Sequence, residues 1–413
     1  MEFVRNLYKK ERAYVDRLSY PGKQLMKSIF LYNFISPLFS LFLNALLFRQ
    51  TESLILTSLF NLCLFAAVTF GFYLNGIALK RYPMHVLFIL GLVSNALVLS
   101  ALIFMPTLPP VAIVSFGLLY GLSTGVYWAN RNFLTLRTTT SDNRMYFSSL
   151  ESVSKSFTDV VIPFVIGGFI HLITIYTIYP PLMAYKLLSV IMFVLVVIIS
   201  MQTLKIQTES LPVSLFVKKI TPSWTRFRQY NFILGFLTVG NIILPALLVL
   251  ILVGDEGALG TVQSLAALIS AFVVYNLSKK LKQHHRLRML QISICLGIIG
   301  GVGFAVLYSA FGAFLFITMI AVSTPLWWAY MSSMSYDMID GHDLAKRYAG
   351  VCDREIFINL GRVIALSLFI GTSYFISDEI ALRYIALGYA FFQMILFFVG
   401  KSIENTTVHR QDS

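Results

Sequence analysis

Apolar runs of about 20 residues, the length a helix needs to cross a bilayer, follow one another along this chain with short polar stretches between them. They cover residues 25–48, 53–79, 84–106, 110–134, 150–175, 181–204, 230–253, 257–278, 287–309, 311–336, 354–376 and 379–401. The pattern predicts an all-α polytopic membrane protein with twelve spanning helices, because a helix satisfies its backbone N–H and C=O groups within its own segment. The longest internal polar stretch, 205–229, holds Lys218, Lys219, Arg226 and Arg228 and reads as a linker carrying a surface helix. It separates two bundles of six helices, 25–204 and 230–401. Ahead of them, residues 1–24 place Phe3, Val4, Leu7, Tyr8, Tyr14, Val15 and Leu18 at roughly helical spacing, with Lys9, Lys10, Arg12 and Arg17 between. That is the pattern of a helix lying on a membrane surface, ended at Pro21-Gly22. It lacks the apolar core and small-residue cleavage site of a signal peptide. Residues 402–413 form a polar tail.

Composition removes the soluble classes. The chain is 57% hydrophobic and 12% charged, with mean hydropathy +0.76, whereas soluble domains carry about 25% charged residues. A net charge of +13 would suggest nucleic acid in a soluble protein, but here the basic residues sort by membrane side. With the N-terminus in the cytoplasm, the outward-facing loops and the helix ends beside them hold only Arg49, Lys186 and Arg383, 3 of 32 Lys plus Arg. This positive-inside asymmetry places both termini and the linker in the cytoplasm, at an inner or plasma membrane. The bilayer is therefore the expected surroundings, with no nucleic acid partner and the chain acting as a monomer. Cys63, Cys295 and Cys352 show no CxxC spacing, and His284-His285 lacks the helical spacing of ligands, so no metal or other cofactor is expected. Gly297, Gly300, Gly301 and Gly303 in the ninth span indicate close helix packing.

The two halves repeat. Tyr127-Trp128-Ala129-Asn130 and Trp327-Trp328-Ala329-Tyr330 lie 327 − 127 = 200 residues apart, as do Lys80 and Lys280. Arg144 and Arg347 are 203 residues apart, and Asp159 falls opposite Arg362 at 362 − 159 = 203. An even number of helices per half makes the repeat parallel. Gly76-Ile77-Ala78-Leu79-Lys80-Arg81-Tyr82-Pro83-Met84-His85 follows the second span, and Pro163-Phe164-Val165-Ile166-Gly167-Gly168 lies in the fifth. On these features residues 25–401 resemble the major facilitator superfamily, whose loop after the second helix reads G-x-x-x-D-R-x-G-R-[RK] and whose fifth helix reads G-P-x-x-G-G. Gly76 and Arg81 match. Lys80 replaces the family's Asp, Pro83 replaces its second Gly, and the fifth-helix segment is one residue longer, so the motifs do not choose a subfamily. The resemblance implies two parallel six-helix bundles, a cavity lined by helices 1, 4, 7 and 10, and contacts between halves through helices 2, 5, 8 and 11.

Ionisable side chains at bilayer depth are costly and so mark candidate sites. Glu151, Lys155 and Asp159 share one face of the fifth span, and Asp159 lies about 12 Å deeper than Glu151. Glu355, Asn359 and Arg362 share a face of the eleventh. Asp159 and Arg362 are candidates for contact with substrate or coupling ion, or alternatively for a polar pair joining the halves. Tyr127, Trp128, Trp327, Trp328 and Tyr330 form either an aromatic wall for a substrate with a flat or apolar part or a belt at the cytoplasmic interface. Arg131, just beyond Trp128, is a further candidate, whereas Arg137, Asp340, His342 and Asp343 read as loop charges. The resemblance implies an Asp at position 80 that meets the N-terminus of helix 11; with Lys80 there, the expectation becomes a gate of reversed polarity. Lys80, with Arg81 beside it, would pair with Asp353 or Glu355, and Lys280 with Glu151. The alternative is that Lys80 and Lys280 only set orientation.

No nucleophile–base arrangement and no Walker sequence appears, so the chain is not expected to be an enzyme or an ATP-driven pump. The expected function is a secondary transporter moving a small solute by alternating access, with proton coupling through Glu151, Asp159 or Glu355. A lipid or glycolipid flippase on the same fold and a non-transporting scaffold are the alternatives.

Overall fold

The computed structural model describes residues 18–176, 180–280, 286–339 and 343–411. The surface segment expected at 1–17, the His284-His285 pair, Asp340 and His342 lie outside the described residues, as do the side chains of Lys280 and Asp337. Among the described residues, twelve helices are long and apolar enough to cross a membrane. They are α1 (Tyr20–Thr51), α2 (Leu54–Ala78), α3 (Met84–Phe104), α4 (Pro110–Thr138), α5 (Ser141–Tyr176), α6 (Pro181–Thr203), α7 (Pro222–Leu252), α8 (Glu256–Lys280), α9 (Arg286–Val306), α10 (Ala310–Ile339), α11 (Leu344–Phe375) and α12 (Asp378–Gln411). The chain is an integral multi-pass membrane protein of the predicted helix count.

Several helices outrun their predicted spans. α5 begins at Ser141 instead of 150, α7 at Pro222 instead of 230, and α11 at Leu344 instead of 354, while α12 continues through the expected tail to Gln411. A hydropathy window stops at the bilayer edge, but a helix stops where its backbone is capped. Thr221 caps α7 by accepting the Trp224 N–H, and Pro222 fills the first turn, where its missing donor costs nothing. Pro110 and Pro181 open α4 and α6 in the same way. Pro21-Gly22 lies in the first turn of α1, so it opens that helix and does not end one. α1 breaks at Ser40 into Tyr20–Phe39 and Leu41–Thr51, where the Ser40 N–H turns back to the Pro37 carbonyl; Pro37 itself lies inside the first piece. Of the linker expected at 205–229 to carry a surface helix, 205–221 contains no helix and 222–229 is helical as the first turns of α7.

Small residues set the closest packing. Gly117, Gly121 and Gly125 form a stripe on α4 against the carbonyls of Phe60, Leu64 and Val68 in α2, where any Cβ would strike backbone. Without a hydrophobic drive between helices in lipid, such close approach supplies the dispersion contacts that hold them. Gly297 and Gly301 likewise bring α9 against Gln393 and Ala386 of α12, as their spacing predicted.

The halves meet at both ends. The end bearing residues 204–221 is called the linker side here and the opposite end the far side. On the linker side, Tyr348 of α11 donates to the Phe72 carbonyl of α2 at 2.7 Å and accepts from Asn75 at 3.1 Å. Asn75 in turn accepts from Asn130 of α4 at 2.6 Å. The 204–221 segment stitches across this seam, with Leu211 N–H donating to Leu79 O and Ser214 N–H to Ala345 O. On the far side, Gly167 of α5 packs on Gly260 of α8, and Arg49 of α1 holds Glu256 of α8.

Candidate functional site

Charged and aromatic side chains cluster within each half, on α4 and α5 in the first and on α7 and α11 in the second. In the first half, the Arg131 guanidinium sits 4.6 Å over the Trp128 ring and pairs with Glu151. Tyr32 of α1 backs this group, edge-on to Trp128 at 6.4 Å. One helical turn deeper, Lys155 and Asp159 form an i,i+4 pair at 2.6 Å, and Asp159 keeps 34% of its side chain exposed. In the second half, Arg228 holds Asp353 through two bonds of 2.5 and 2.8 Å, and Trp224 Nε1 adds a third at 2.8 Å. Arg354 pairs with its neighbour Glu355 at 2.6 Å. Arg362 donates to Thr238 Oγ1 at 2.9 Å and Asn359 Oδ1 at 3.0 Å, and its guanidinium lies 4.7 Å from the Phe65 ring of α2.

Several expected arrangements are not found. Asp159 and Arg362 occupy equivalent places in the repeat but do not pair; each finds its hydrogen-bond partners inside its own half, and only the ring contact of Arg362 with Phe65 crosses between halves. Of the reversed gate, Lys80 pairs with neither Asp353 nor Glu355 in this structure, and the Lys280 side chain expected to meet Glu151 lies outside the described residues. Asp353 has three donors from α7, Glu355 is held by Arg354, and Glu151 by Arg131, so none of the three carboxylates is left for Lys80. Lys80 and Arg81 are exposed beyond the end of α2. The aromatic wall is thinner than expected. Tyr127 is fully buried against Tyr32 and Phe88, Tyr330 donates to the Gly400 carbonyl, and Trp327 is 1% exposed. Helical spacing turns these three into their bundles and leaves Trp128 and Trp328 on more open faces.

The far-side cluster was not anticipated. Asp255 and Glu256 start α8 and are gripped by three residues of the first half. Arg49 donates twice to Glu256, at 2.6 and 2.5 Å, and Tyr185 donates once, at 3.3 Å. His171 meets Asp255 at 2.5 Å. Burial pushes the Asp255 carboxyl up, but the Ala258 N–H, His171 and the Gly257 N–H hold it below its ordinary value. The two adjoining carboxylates opposite a basic residue in an otherwise acid-poor loop were the available sequence signal.

No family model matches the sequence. The chain is 25% identical over 352 residues, 82% of its length, to the uncharacterized protein YqgE of Bacillus subtilis (strain 168), covering 80% of that protein. It superposes on a bacterial homologue of the human lysosomal transporter Spinster in an inward-facing, occupied conformation with a TM-score of 0.66, covering 94% of this chain and 97% of that one at 12% identity. The chain has the major facilitator fold. The nucleoside transporter NupG is similar at TM-score 0.64 and 14% identity, with 93% and 99% of the two chains covered. The human organic anion transporter MFSD10 is similar at TM-score 0.62 and 11% identity, with 92% and 100% covered. The fold gives the pairings seen above their context: α5 packs on α8 and α11 on α2, so two pseudo-equivalent seams join the halves.

Proposed function

We propose that the chain is a secondary transporter that carries a small solute across the cytoplasmic membrane by alternating access, as a monomer with both termini and the 204–221 segment in the cytoplasm. The observation that carries this reading is the set of charged side chains held at bilayer depth between two like-oriented halves. Such groups are expensive in a bundle that only has to stay folded. The similarity to transporters of unlike solutes supports transport and leaves the solute open. The positive-inside distribution supports the orientation. Arg131–Glu151, Lys155–Asp159 and Arg354–Glu355 are the groups that solute and coupling ion meet. Asp159, partly exposed and paired with Lys155, is the carboxylate assigned to proton coupling in this reading.

The test is to compare solute pools with and without the gene, then to measure flux of the changed solutes into liposomes holding purified protein, with and without a proton gradient. Gradient-driven flux of a soluble solute is expected. Movement of labelled lipid between leaflets without soluble flux would assign a flippase instead, and neither activity would leave a scaffold.

A further inference from the structure

Arg362 is unlike the other basic side chains of the central region. Among the described residues, Arg131, Lys155, Arg228 and Arg354 each have a carboxylate, in Glu151, Asp159, Asp353 and Glu355. Arg362 has none. Its two side-chain acceptors, Thr238 and Asn359, are neutral, and one face of its guanidinium rests on Phe65. Five basic groups thus stand against four acidic ones, 5 − 4 = +1, and the surplus is at Arg362. Position 362 lies about 27 Å along α11 from Leu344 and about 20 Å from Phe375 by the helical rise. That puts the charge near the middle of the span.

An uncompensated cation at that depth is costly, and a guanidinium offers five N–H donors in a fork that matches an oxyanion. Thr238 and Asn359 occupy two of those donors and fix the plane. The nearest carboxylate along α11, on Glu355, is already neutralised by Arg354. The repeat-equivalent carboxylate, on Asp159, is neutralised by Lys155. Arg354 Nε is itself buried without an acceptor, a second unused donor on the same helix. Phe65 belongs to the first half and Thr238 to the second, so the guanidinium sits between the parts that move in alternating access.

We infer that Arg362 is the recognition group for an anionic substrate, one carrying a carboxylate or phosphate that supplies the missing counter-charge. This rests on the transport reading above and names its substrate class.

The experiment measures melting temperature of the purified full chain in detergent against charge-matched series: benzoate, benzamide and benzylamine; succinate, succinamide and 1,4-diaminobutane; glucose 6-phosphate and glucose. Wild type is compared with R362M and R362K. Anionic members should raise the melting temperature and their neutral and cationic counterparts should not. Carboxylate and phosphate arms separate the two sources of the anion. The response should vanish in R362M and persist, weakened, in R362K. Without ligand, R362M should melt no lower than wild type, since it removes an uncompensated charge. A lower melting temperature for ligand-free R362M would make Arg362 a structural element and overturn the inference. So would an anion response that survives in R362M, a response confined to neutral or cationic members, or no response in any series. Failure of transport itself is read separately, from the liposome flux.

Discussion

The Arg49–Glu256 pair joins the two halves only when the far side is closed, so it should weigh on the conformational equilibrium, and unequally from its two ends. The Glu256 side chain is 2% exposed and that of Arg49 is 40% exposed. Replacing Arg49 by Gln leaves a buried carboxylate without its cation, which in general costs about 3–5 kcal/mol. The Tyr185 hydroxyl still donates to Glu256, and water reaches the site through the exposed side of residue 49, so about 2–3 kcal/mol is the better figure here. That weakens closure by about 30- to 150-fold, at 1.4 kcal/mol per tenfold. Replacing Glu256 by Gln leaves Arg49 able to turn to water, and only the net worth of the bond is lost, about 1 kcal/mol or roughly fivefold. The more exposed partner is thus the more damaging one to remove. Spin labels at Leu172 on α5 and Thr261 on α8, both exposed beside the Gly167–Gly260 contact, report the opening as a distance distribution. Cys295 is first replaced, because it is the exposed native thiol. Arg49→Gln should populate a longer distance strongly and Glu256→Gln slightly. Equal shifts from the two variants, or no shift from Arg49→Gln, would refute the reasoning.

Three further outcomes are expected. Asp159→Asn should abolish gradient-driven flux while the protein remains folded and membrane-inserted; near-normal flux, measured in liposomes, would remove Asp159 from the site. Gly121→Leu should prevent accumulation of folded protein, since the new side chain drives into the Leu64 carbonyl of α2, and overpacking costs about 1–3 kcal/mol or more; size-exclusion profiles of the expressed protein check this. Because the Asp255 carboxyl sits below its ordinary value of 3.8, its contribution to far-side closure is complete above that value and is lost only as pH falls through the lowered one. The spin-label distance should therefore hold from neutral pH to about pH 5 as far as Asp255 is concerned, and Asp255→Asn should lengthen it already at neutral pH.

The helix count and fold were legible because a spanning helix writes itself as an uninterrupted apolar run, and an even repeat fixes the relative orientation of the halves. Helix ends were less so. α5, α7 and α11 continue beyond their apolar runs on the linker side, where residues such as the buried Tyr348 pack against the other half without marking a hydropathy average. The break at Ser40 had no such mark in the sequence, since Pro37, Pro163, Pro245 and Pro325 all sit inside helices that continue past them.

Spacing along one helix showed which side chains would be neighbours, and it did not show which would pair between helices. Spacing of four makes Lys155 and Asp159 neighbours on any helix, and they are. Pairs between helices are another matter: Arg131–Glu151 and Arg228–Asp353 form because α4 meets α5 and α7 meets α11 within their own halves. The repeat aligned Asp159 with Arg362, but α5 packs on α8 and α11 on α2, so the two residues lie on different seams. Lys80 failed as a gate for a related reason. Asp353, buried in the third turn of α11, is already held by donors fixed around it, Trp224 and Arg228 in the first two turns of α7. The linker side is consequently sealed by neutral groups, Tyr348, Asn75 and the backbone of residues 211–214, while the far side is sealed by charge. Because a pair with one partner 2% exposed is screened far less than a solvated one, raising ionic strength should loosen the Arg49–Glu256 contact only weakly.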